Sequence, residues 1–107
     1  MSDTCSLRQA DVNSAIDTMR SAIDALIGDQ PVVVSVVNGK GRIGWIGLNL
    51  DPSGEELARA DAHARTAKLT HGFRVGVDAP SLSAARRTEL LKLIGQPLSR
   101  TATRPVH

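Results

Sequence analysis

The chain has 107 residues, a formal net charge of +2, and one Trp and one Phe as its only aromatic residues. This length predicts a single small domain whose core is built from Val, Ile, Leu and Ala. A charge so near neutrality does not by itself indicate a nucleic-acid-binding protein. The single cysteine, Cys5, excludes an internal disulfide.

The lack of recognisable targeting segments and the distribution of charge indicate where the protein is located and what it could bind. No apolar run is long enough to span a membrane, and the first six residues lack the basic and apolar segments of a signal peptide. We therefore expect a cytoplasmic protein without a membrane partner. The charge is −3 over residues 1–30 and +4 over residues 84–107. This asymmetry is typical of a solvated surface, but it can also attract nucleic acid or align subunits.

Residues 7–27 have the periodicity of an amphipathic helix. Ser6 and Gln9 have the spacing of a capping box at its start, and Gly28 follows its end as a left-handed cap residue. Apolar residues recur every three or four positions, at Val12, Ala15, Ile16, Met19, Ile23, Leu26 and Ile27.

A β-hairpin is predicted next. Residues 32–37 are β-branched except for Ser35, and a second strand follows over about residues 42–50. The connection Asn38-Gly39 favours a tight turn, because both residues tolerate positive φ. Gly44 and Gly47 remove side chains from the second strand, which indicates a bulge, a bend, or close approach of a ligand or another backbone.

The same segment also matches the G-x-G-x-x-G pattern of dinucleotide-binding turns, as Gly39-Lys-Gly41-Arg-Ile-Gly44. That fold requires a helix after the third glycine. The chain instead continues Trp-Ile-Gly-Leu-Asn-Leu-Asp-Pro, which is too short for a helix and contains another glycine. The hairpin is therefore the favoured interpretation.

A second helix is predicted from about Glu55 to Leu69. It has an alanine-rich face, and Ser53 and Glu56 have the spacing of a capping box at its start. Alternation of apolar residues over Phe73–Val77 predicts a half-buried strand at an edge of the sheet.

Residues 82–94 are predicted to form a third helix, which Gly95 ends and Pro97 prevents from continuing. Residues 98–107 lack periodicity, so we expect a flexible basic tail after a single domain of residues 1–97. The predicted class is α+β, in the order α-β-β-α-β-α. A small antiparallel sheet of about three strands, a hairpin plus an edge strand, would be flanked by three helices.

His63 and His71 are the internal histidines, on either side of the end of the second predicted helix. Exposed side chains without a chemical role are the commonest interpretation of such positions. The functional alternatives are an axial haem ligand or a general base. Asp61 lies two positions before His63, so it points elsewhere on the helix and would not orient the imidazole. No Cys or carboxylate set at metal-ligand spacing accompanies the histidines, so no metal site is expected.

Two segments resemble the GlcG/HbpS-like haem-binding family. The stretch Val36-Val-Asn-Gly-Lys-Gly-Arg-Ile43 resembles the family's V-V-D-x-x-G-x-L hairpin, with Asn38 in place of the usual Asp. The stretch Ala60-Asp-Ala-His-Ala-Arg-Thr-Ala67 is similar to its A-x-x-K-A-x-T-A helix, with His63 where the family usually has Lys.

The resemblance covers about residues 7–70, and the family's later G-G-x-P and G-x-x-G-x-S-G segments are missing from residues 72–107. It implies an antiparallel sheet flanked by helices, frequent homo-oligomers, and binding of haem or another cofactor-sized ligand.

The favoured functional hypothesis is a small ligand-binding protein, with haem as the candidate cofactor. Its pocket would lie between the glycine-bearing hairpin and the alanine-rich helix, because small residues on both elements leave room there. Trp45 is placed to stack on a flat ligand. The expected cofactor-binding residues are Gly44, Trp45, Gly47, His63 and Thr66.

Two alternatives remain open. In the first, the protein is a small enzyme in which His63 or His71 is the general base for an anionic substrate held by Arg65 or Arg74. In the second, it is a regulatory or interaction protein that binds a partner chain or nucleic acid through the strand Phe73–Val77 or the basic end. No aromatic residues alternate with the basic ones, so nucleic acid is not favoured.

Overall fold

The structure is a computed structural model that describes residues 6–103. The elements follow in the order α1 (Gln9–Thr18), α2 (Arg20–Ile27), β1 (Val32–Asn38), β2 (Gly41–Leu48), α3 (Gly54–Arg65), β3 (Arg74–Asp78) and α4 (Ala84–Ala102). The strands form one antiparallel sheet in the order β2-β1-β3. The predicted α+β class is confirmed, and the described residues contain four helices in place of three. Cys5 and residues 104–107 lie outside the described part.

Helices cover both faces of the sheet. Val32, Val34 and Val36 point to the face of the main core, which α1, α2 and α4 complete. Ser35 and its alternate neighbours on β1 point to the other face, where α3 packs over β1 and β3. Every residue from Val32 to Val37 is buried. Burial on both faces explains why this strand is almost continuously apolar.

The predicted first helix is two helices, because it is interrupted at Met19, where φ is −104° and ψ is 14°. Thr18 Oγ1 donates to Ser14 O at 2.9 Å just before the interruption. A hydroxyl that bonds back to the preceding turn in this way often bends a helix.

The predicted capping box of Ser6 and Gln9 is wrong. The residue that caps α1 is Arg8, whose backbone N donates to Asp11 Oδ2 at 2.8 Å. The Gln9 side chain points instead to the sheet, where it contacts Trp45.

The predicted hairpin is confirmed by the antiparallel pairing of β1 with β2. Because a strand and not a helix runs through Gly44, the dinucleotide-binding alternative is excluded. A bulge pairs Val36 with Gly44 and Val37 with Arg42, and it leaves Ile43 without a partner. The expected positive φ is found at Gly41 (132°) and not in the Asn38-Gly39 pair.

The start of α3 is as predicted. Ser53 Oγ accepts from Glu56 N at 3.3 Å, and Ser53 N donates to Glu56 Oε1 at 2.8 Å. The helix ends at Arg65, earlier than the predicted Leu69. The edge position of β3 is also as predicted, since β3 neighbours only β1. The strand is not half-buried as predicted, because α3 and α4 cover its two faces and every residue from Val75 to Asp78 is buried.

The predicted end of the last helix at Gly95 is wrong, and residues 98–102 are helical where a flexible tail is predicted. The helix α4 runs through Pro97 because its apolar stripe continues past that residue. Burial of this stripe outweighs the backbone hydrogen bond that a proline removes. The buried residues of the stripe are Leu90, Ile94, Pro97 and Leu98.

Candidate interaction groove

The edge of the sheet formed by β2 is covered at Trp45 by a side chain of the protein itself. Gln9 Nε2 donates to Trp45 O at 2.7 Å, and Gln9 Oε1 accepts from Trp45 N at 2.9 Å. The side-chain amide thus occupies both backbone groups of one residue, as a neighbouring strand would. Such a cover reduces the tendency of an edge strand to pair with another chain.

The edge formed by β3 is open in the sense that no strand pairs with it, although the residues from Val75 to Asp78 are buried between α3 and α4. Arg74–Asp78 pair with β1 on one side. On the other side, no hydrogen bond within residues 6–103 reaches the backbone of these five residues. The nearest backbone pairing is the turn in which Thr70 and Phe73 bond to each other, at 2.8 and 2.9 Å. The open edge therefore retains backbone donors and acceptors for another chain.

This open edge lies at the floor of a groove between α3 and α4, which we call the β3 groove. Its volume is about 540 Å³. The wall from α3 carries His63 and Ala67, and the wall from α4 carries Ala84, Thr88 and Leu91. A smaller depression of about 250 Å³ shares Ala67 and Leu91 and continues along the strand. Together the two depressions follow β3 from Val75 to Asp78.

Gly76 allows α3 to form one wall of the groove. A Cβ atom built on Gly76 would lie 2.7 Å from Ala64 Cα and closer still to the Ala60 carbonyl oxygen and the Ala64 nitrogen. The helix backbone thus rests on the strand with no side chain between them. The alanines of α3 and the glycine of β3 together set this close packing.

Charged groups stand at both ends of β3. Asp78 Oδ2 lies 3.4 Å from Arg59 Nε, and Arg59 Nη1 lies 3.0 Å from Glu55 Oε1. The negative charge of Asp78 is the main cause of a raised pKa for Arg59. At the other end, Arg74 Nη1 donates to Ala67 O beyond the end of α3. The strand therefore begins with a cation and ends with an anion.

A second polar cluster lies under α3, away from the groove. Ser35 Oγ donates to Asp61 Oδ1 at 2.5 Å. Arg42 donates to both carboxylate oxygens of Asp61, at 3.1 and 2.6 Å. The Arg42 hydrogen bond is the main cause of a lowered pKa for Asp61. Ser35 is fully buried, so its hydroxyl is not accessible to a substrate, and the cluster anchors α3 to the hairpin.

Sequence reasoning did not identify this cluster, although two signals for it exist. Ser35 is the polar exception in a run of valines, and Asp61 stands between alanines on the face of the helix that turns toward the sheet. A buried polar side chain needs a hydrogen-bond partner, and Ser35 and Asp61 are hydrogen-bond partners of each other. The expectation that Asp61 does not orient His63 agrees with these contacts.

Gly44 and Gly47 do not provide the free space that the predicted pocket between the hairpin and α3 requires, because both are covered by other parts of the chain. A Cβ on Gly44 would lie 2.9 Å from Val12 Cγ2, and one on Gly47 would lie 2.6 Å from Pro52 Cδ. Trp45 is 37% exposed and lines a shallow depression with Gly47 at the β2 edge. Trp45 and Gly47 thus line a different depression from the groove that His63 lines.

The other predicted residues divide between the groove and its surroundings. His63 lines the β3 groove. Thr66 Oγ1 donates to His63 O at 3.2 Å at the end of α3, and Thr66 does not line the groove. His71 is exposed in the turn before β3, with φ of 48°. Among the described residues, neither imidazole is hydrogen-bonded to a carboxylate.

The fold and the groove define a small α+β protein with one open sheet edge. Comparison of the chain with protein-family models, curated proteins and solved structures finds no match. Within residues 6–103, no helix has the length and apolar character needed to cross a membrane. The same part of the chain contains no group of three or more His, Cys, Asp or Glu side chains placed to hold a metal ion.

Proposed function

We propose that this is an interaction protein that binds an extended segment of another polypeptide along the open edge of β3. The observation that carries the proposal is the unpaired edge of β3 at the floor of a groove between two helices. Strand addition to a sheet edge is a common mode of peptide recognition, in which backbone hydrogen bonds supply affinity and side-chain pockets supply specificity.

The contrast between the two sheet edges supports this proposal. Trp45 at the β2 edge has both backbone groups occupied by Gln9. An added strand at β3 would lie about 4.8 Å from it, between the walls of the groove. Small and apolar side chains line that space, including Ala67, Ala84 and Leu91. A bound segment would therefore bury apolar surface as well as pair its backbone.

Peptide selection tests the proposal. A random twelve-residue peptide library displayed on phage is selected on the immobilised protein, and the recovered peptides are titrated in solution. Bound peptides should slow amide hydrogen exchange in Arg74–Asp78. Protection confined to other parts of the chain, or no selection above background, would contradict the proposal.

Two neighbouring alanines provide a matched pair of variants. Ala84 and Ala85 are both exposed in the first turn of α4, but only Ala84 lines the groove. We expect the Ala84→Trp side chain to occupy the groove and to displace the side chains of the peptide. The peptide would lose its packed contacts there, so its affinity should fall at least about tenfold. Ala85→Trp should bind as the parent protein does. Equal affinity in both variants would place the peptide elsewhere.

A second candidate function is binding of haem in the same groove, and it is favoured by the position of His63. Its imidazole lies on a wall that also carries apolar Leu91, and Arg87 lines the α4 side. These residue types fit haem, since an imidazole can ligate the iron and a cation can pair with a propionate. The resemblance of the hairpin and α3 to the haem-binding family points to the same ligand.

Titration with hemin separates this candidate from the first. A shifted Soret band should appear in the parent protein and in His71→Ala, and it should be lost in His63→Ala. Both substitutions remove an exposed histidine, but only His63 lines the groove. No spectral change in the parent protein would exclude the haem function. For either function we propose that the protein acts in the cytoplasm. That compartment is reducing, and a chain with one cysteine does not depend on an internal disulfide.

A further inference from the structure

The charge pattern of β3 is the same when the strand is paired with an antiparallel copy of itself. Resting on the proposed strand-binding function, we infer that the chain that pairs with β3 is a second copy of this protein, antiparallel and with Gly76 opposite Gly76 of the partner subunit. The strand reads Arg74-Val-Gly-Val-Asp78. In the reverse direction the strand begins with the anion Asp78, whereas in the forward direction it begins with the cation Arg74.

In this register, Arg74 lies opposite the partner's Asp78, and Asp78 lies opposite the partner's Arg74. Directly opposed residues of antiparallel strands have Cβ atoms about 4.5–5.5 Å apart, where opposite charges attract. The valines face each other in the same way, since Val75 lies opposite the partner's Val77. A shift by two residues would place Gly76 opposite a charged residue and would lose both ion pairs. The charge pattern therefore selects one register.

The contacts of the charged residues leave room for these pairs. Asp78 is bonded to Arg59 through a single long contact of 3.4 Å, so its carboxylate retains capacity for another donor. Arg74 keeps one guanidinium nitrogen on Ala67 O. The remaining guanidinium nitrogens supply further donors, since a guanidinium has five N–H groups.

The assembly would also close after two copies. Pairing of the β3 edges produces a continuous six-stranded sheet in the order β2-β1-β3-β3-β1-β2. Each outer edge of that sheet is a β2 strand whose Trp45 backbone is occupied by Gln9. A two-fold pairing uses the same surface of both copies, which yields a closed dimer and not a fibre.

The native mass is the first measurement. Light scattering after size exclusion should give twice the chain mass of 11.3 kDa, and Arg74–Asp78 amides should exchange more slowly as the protein concentration rises. A monomer at every concentration would overturn the inference. The proposed strand-binding function would then be decided separately, by whether the phage-selected peptides bind to β3. A dimer with slowed exchange only outside β3 would also overturn the inference.

Charge reversal tests the register. Arg74→Asp places one anion opposite Asp78 of the partner subunit at each end of the strand pair, and Asp78→Arg places one cation opposite the partner's Arg74. Each variant alone should raise the dimer dissociation constant at least about tenfold, because like charges directly opposed are repulsive. Arg20→Asp on α2 is the matched control, since Arg20 pairs with Asp24 on an exposed surface, and it should leave the dimer intact.

Mixing the two variants distinguishes pairing between subunits from damage within one subunit. A chain with Arg74→Asp and a chain with Asp78→Arg together restore opposite charges at both ends of the strand pair. The mixture should therefore form a heterodimer, detected by native mass spectrometry, although neither variant dimerises well alone. The double variant Arg74→Asp/Asp78→Arg should dimerise by itself. Failure of both rescues would overturn the Gly76-centred register.

Discussion

Arg42 and Asp61 form a two-point ion pair between the hairpin and α3, with Nη2 2.6 Å from Oδ2 and Nε 3.1 Å from Oδ1. The Asp61 side chain is 11% exposed and that of Arg42 is 36% exposed. The buried Ser35 hydroxyl donates to the same carboxylate. These groups join α3 to both strands of the hairpin, so the position of α3 over the sheet depends on the charge of Asp61.

Replacing that charge should destabilise the fold. We expect Asp61→Asn to lower the free energy of unfolding by about 2–3 kcal/mol, somewhat less than for a fully buried pair, because Arg42 can regain water. Urea denaturation followed by circular dichroism measures the change. Asp24→Asn is the control, since its pair with Arg20 is on the surface, and it should cost less than about 0.5 kcal/mol. Equal effects of the two substitutions would contradict the anchoring role.

The same pair predicts a pH dependence. The Arg42 hydrogen bond, with help from Ser35, holds the pKa of Asp61 below its ordinary value of 3.8. The unfolded chain therefore takes up this proton at a higher pH than the folded protein does. The stabilisation is complete above pH 3.8, and it is lost as the pH falls through the lower folded-state pKa.

Comparison with Asp61→Asn isolates this titration, because the other carboxyl groups are common to both proteins. The difference in unfolding free energy between parent and variant should be greatest near neutral pH and should shrink steadily in the acid range. A difference that stays constant down to about pH 2 would show that the Asp61 charge makes no contribution.

Gly76 should tolerate no side chain, because the backbone of α3 occupies the space for a Cβ. We expect Gly76→Ala to destabilise the protein by about 3 kcal/mol or more, since neither backbone segment can move without breaking its own hydrogen bonds. Gly95→Ala is the matched control. A Cβ at Gly95 would meet nothing within 4 Å, and an alanine inside a helix should add about 0.5–1 kcal/mol. Thermal melting should thus shift in opposite directions for the two variants.

Local patterns predicted the hairpin and the capping box at Ser53, because each depends on residues close in sequence. The continuation of α4 through Pro97 depends on tertiary burial instead. Leu98 lies four residues after Ile94, and this spacing was the available signal that the apolar stripe continues.

The candidate site was less predictable, because it depends on which strands α3 covers. The sequence shows an alanine-rich helix and several glycines, but not which glycine receives the helix. The predicted pocket relied on Gly44 and Gly47, whereas α3 packs on Gly76. His63 consequently lies beside the β3 groove, and Trp45 lies at the opposite edge of the sheet.

Gln9 should protect the β2 edge from association. In Gln9→Ala, Trp45 loses both side-chain hydrogen bonds, at a cost of about 1 kcal/mol, and its backbone groups become available to other chains. We expect concentration-dependent aggregation, measured by light scattering during slow heating. Asn13→Ala removes a neighbour that bonds to Gln9 at 3.0 Å but not to the strand, so it should remain as dispersed as the parent. Indistinguishable scattering from both variants would contradict the protective role.

The last turns of α4 should be essential to stability. Leu98 is fully buried, whereas Leu69 is 55% exposed. Leu98→Ala should therefore cost about 3 kcal/mol through lost burial and the cavity left behind, while Leu69→Ala should change stability by less than about 0.5 kcal/mol. Urea denaturation measures both.

Deletion of residues 98–107 should destabilise at least as much as Leu98→Ala, because it removes the same side chain and the last turn of the helix. If the deletion left stability unchanged, residues 98–102 would behave as the flexible tail that their lack of periodicity suggests, and the packing of Leu98 against the core would contribute nothing.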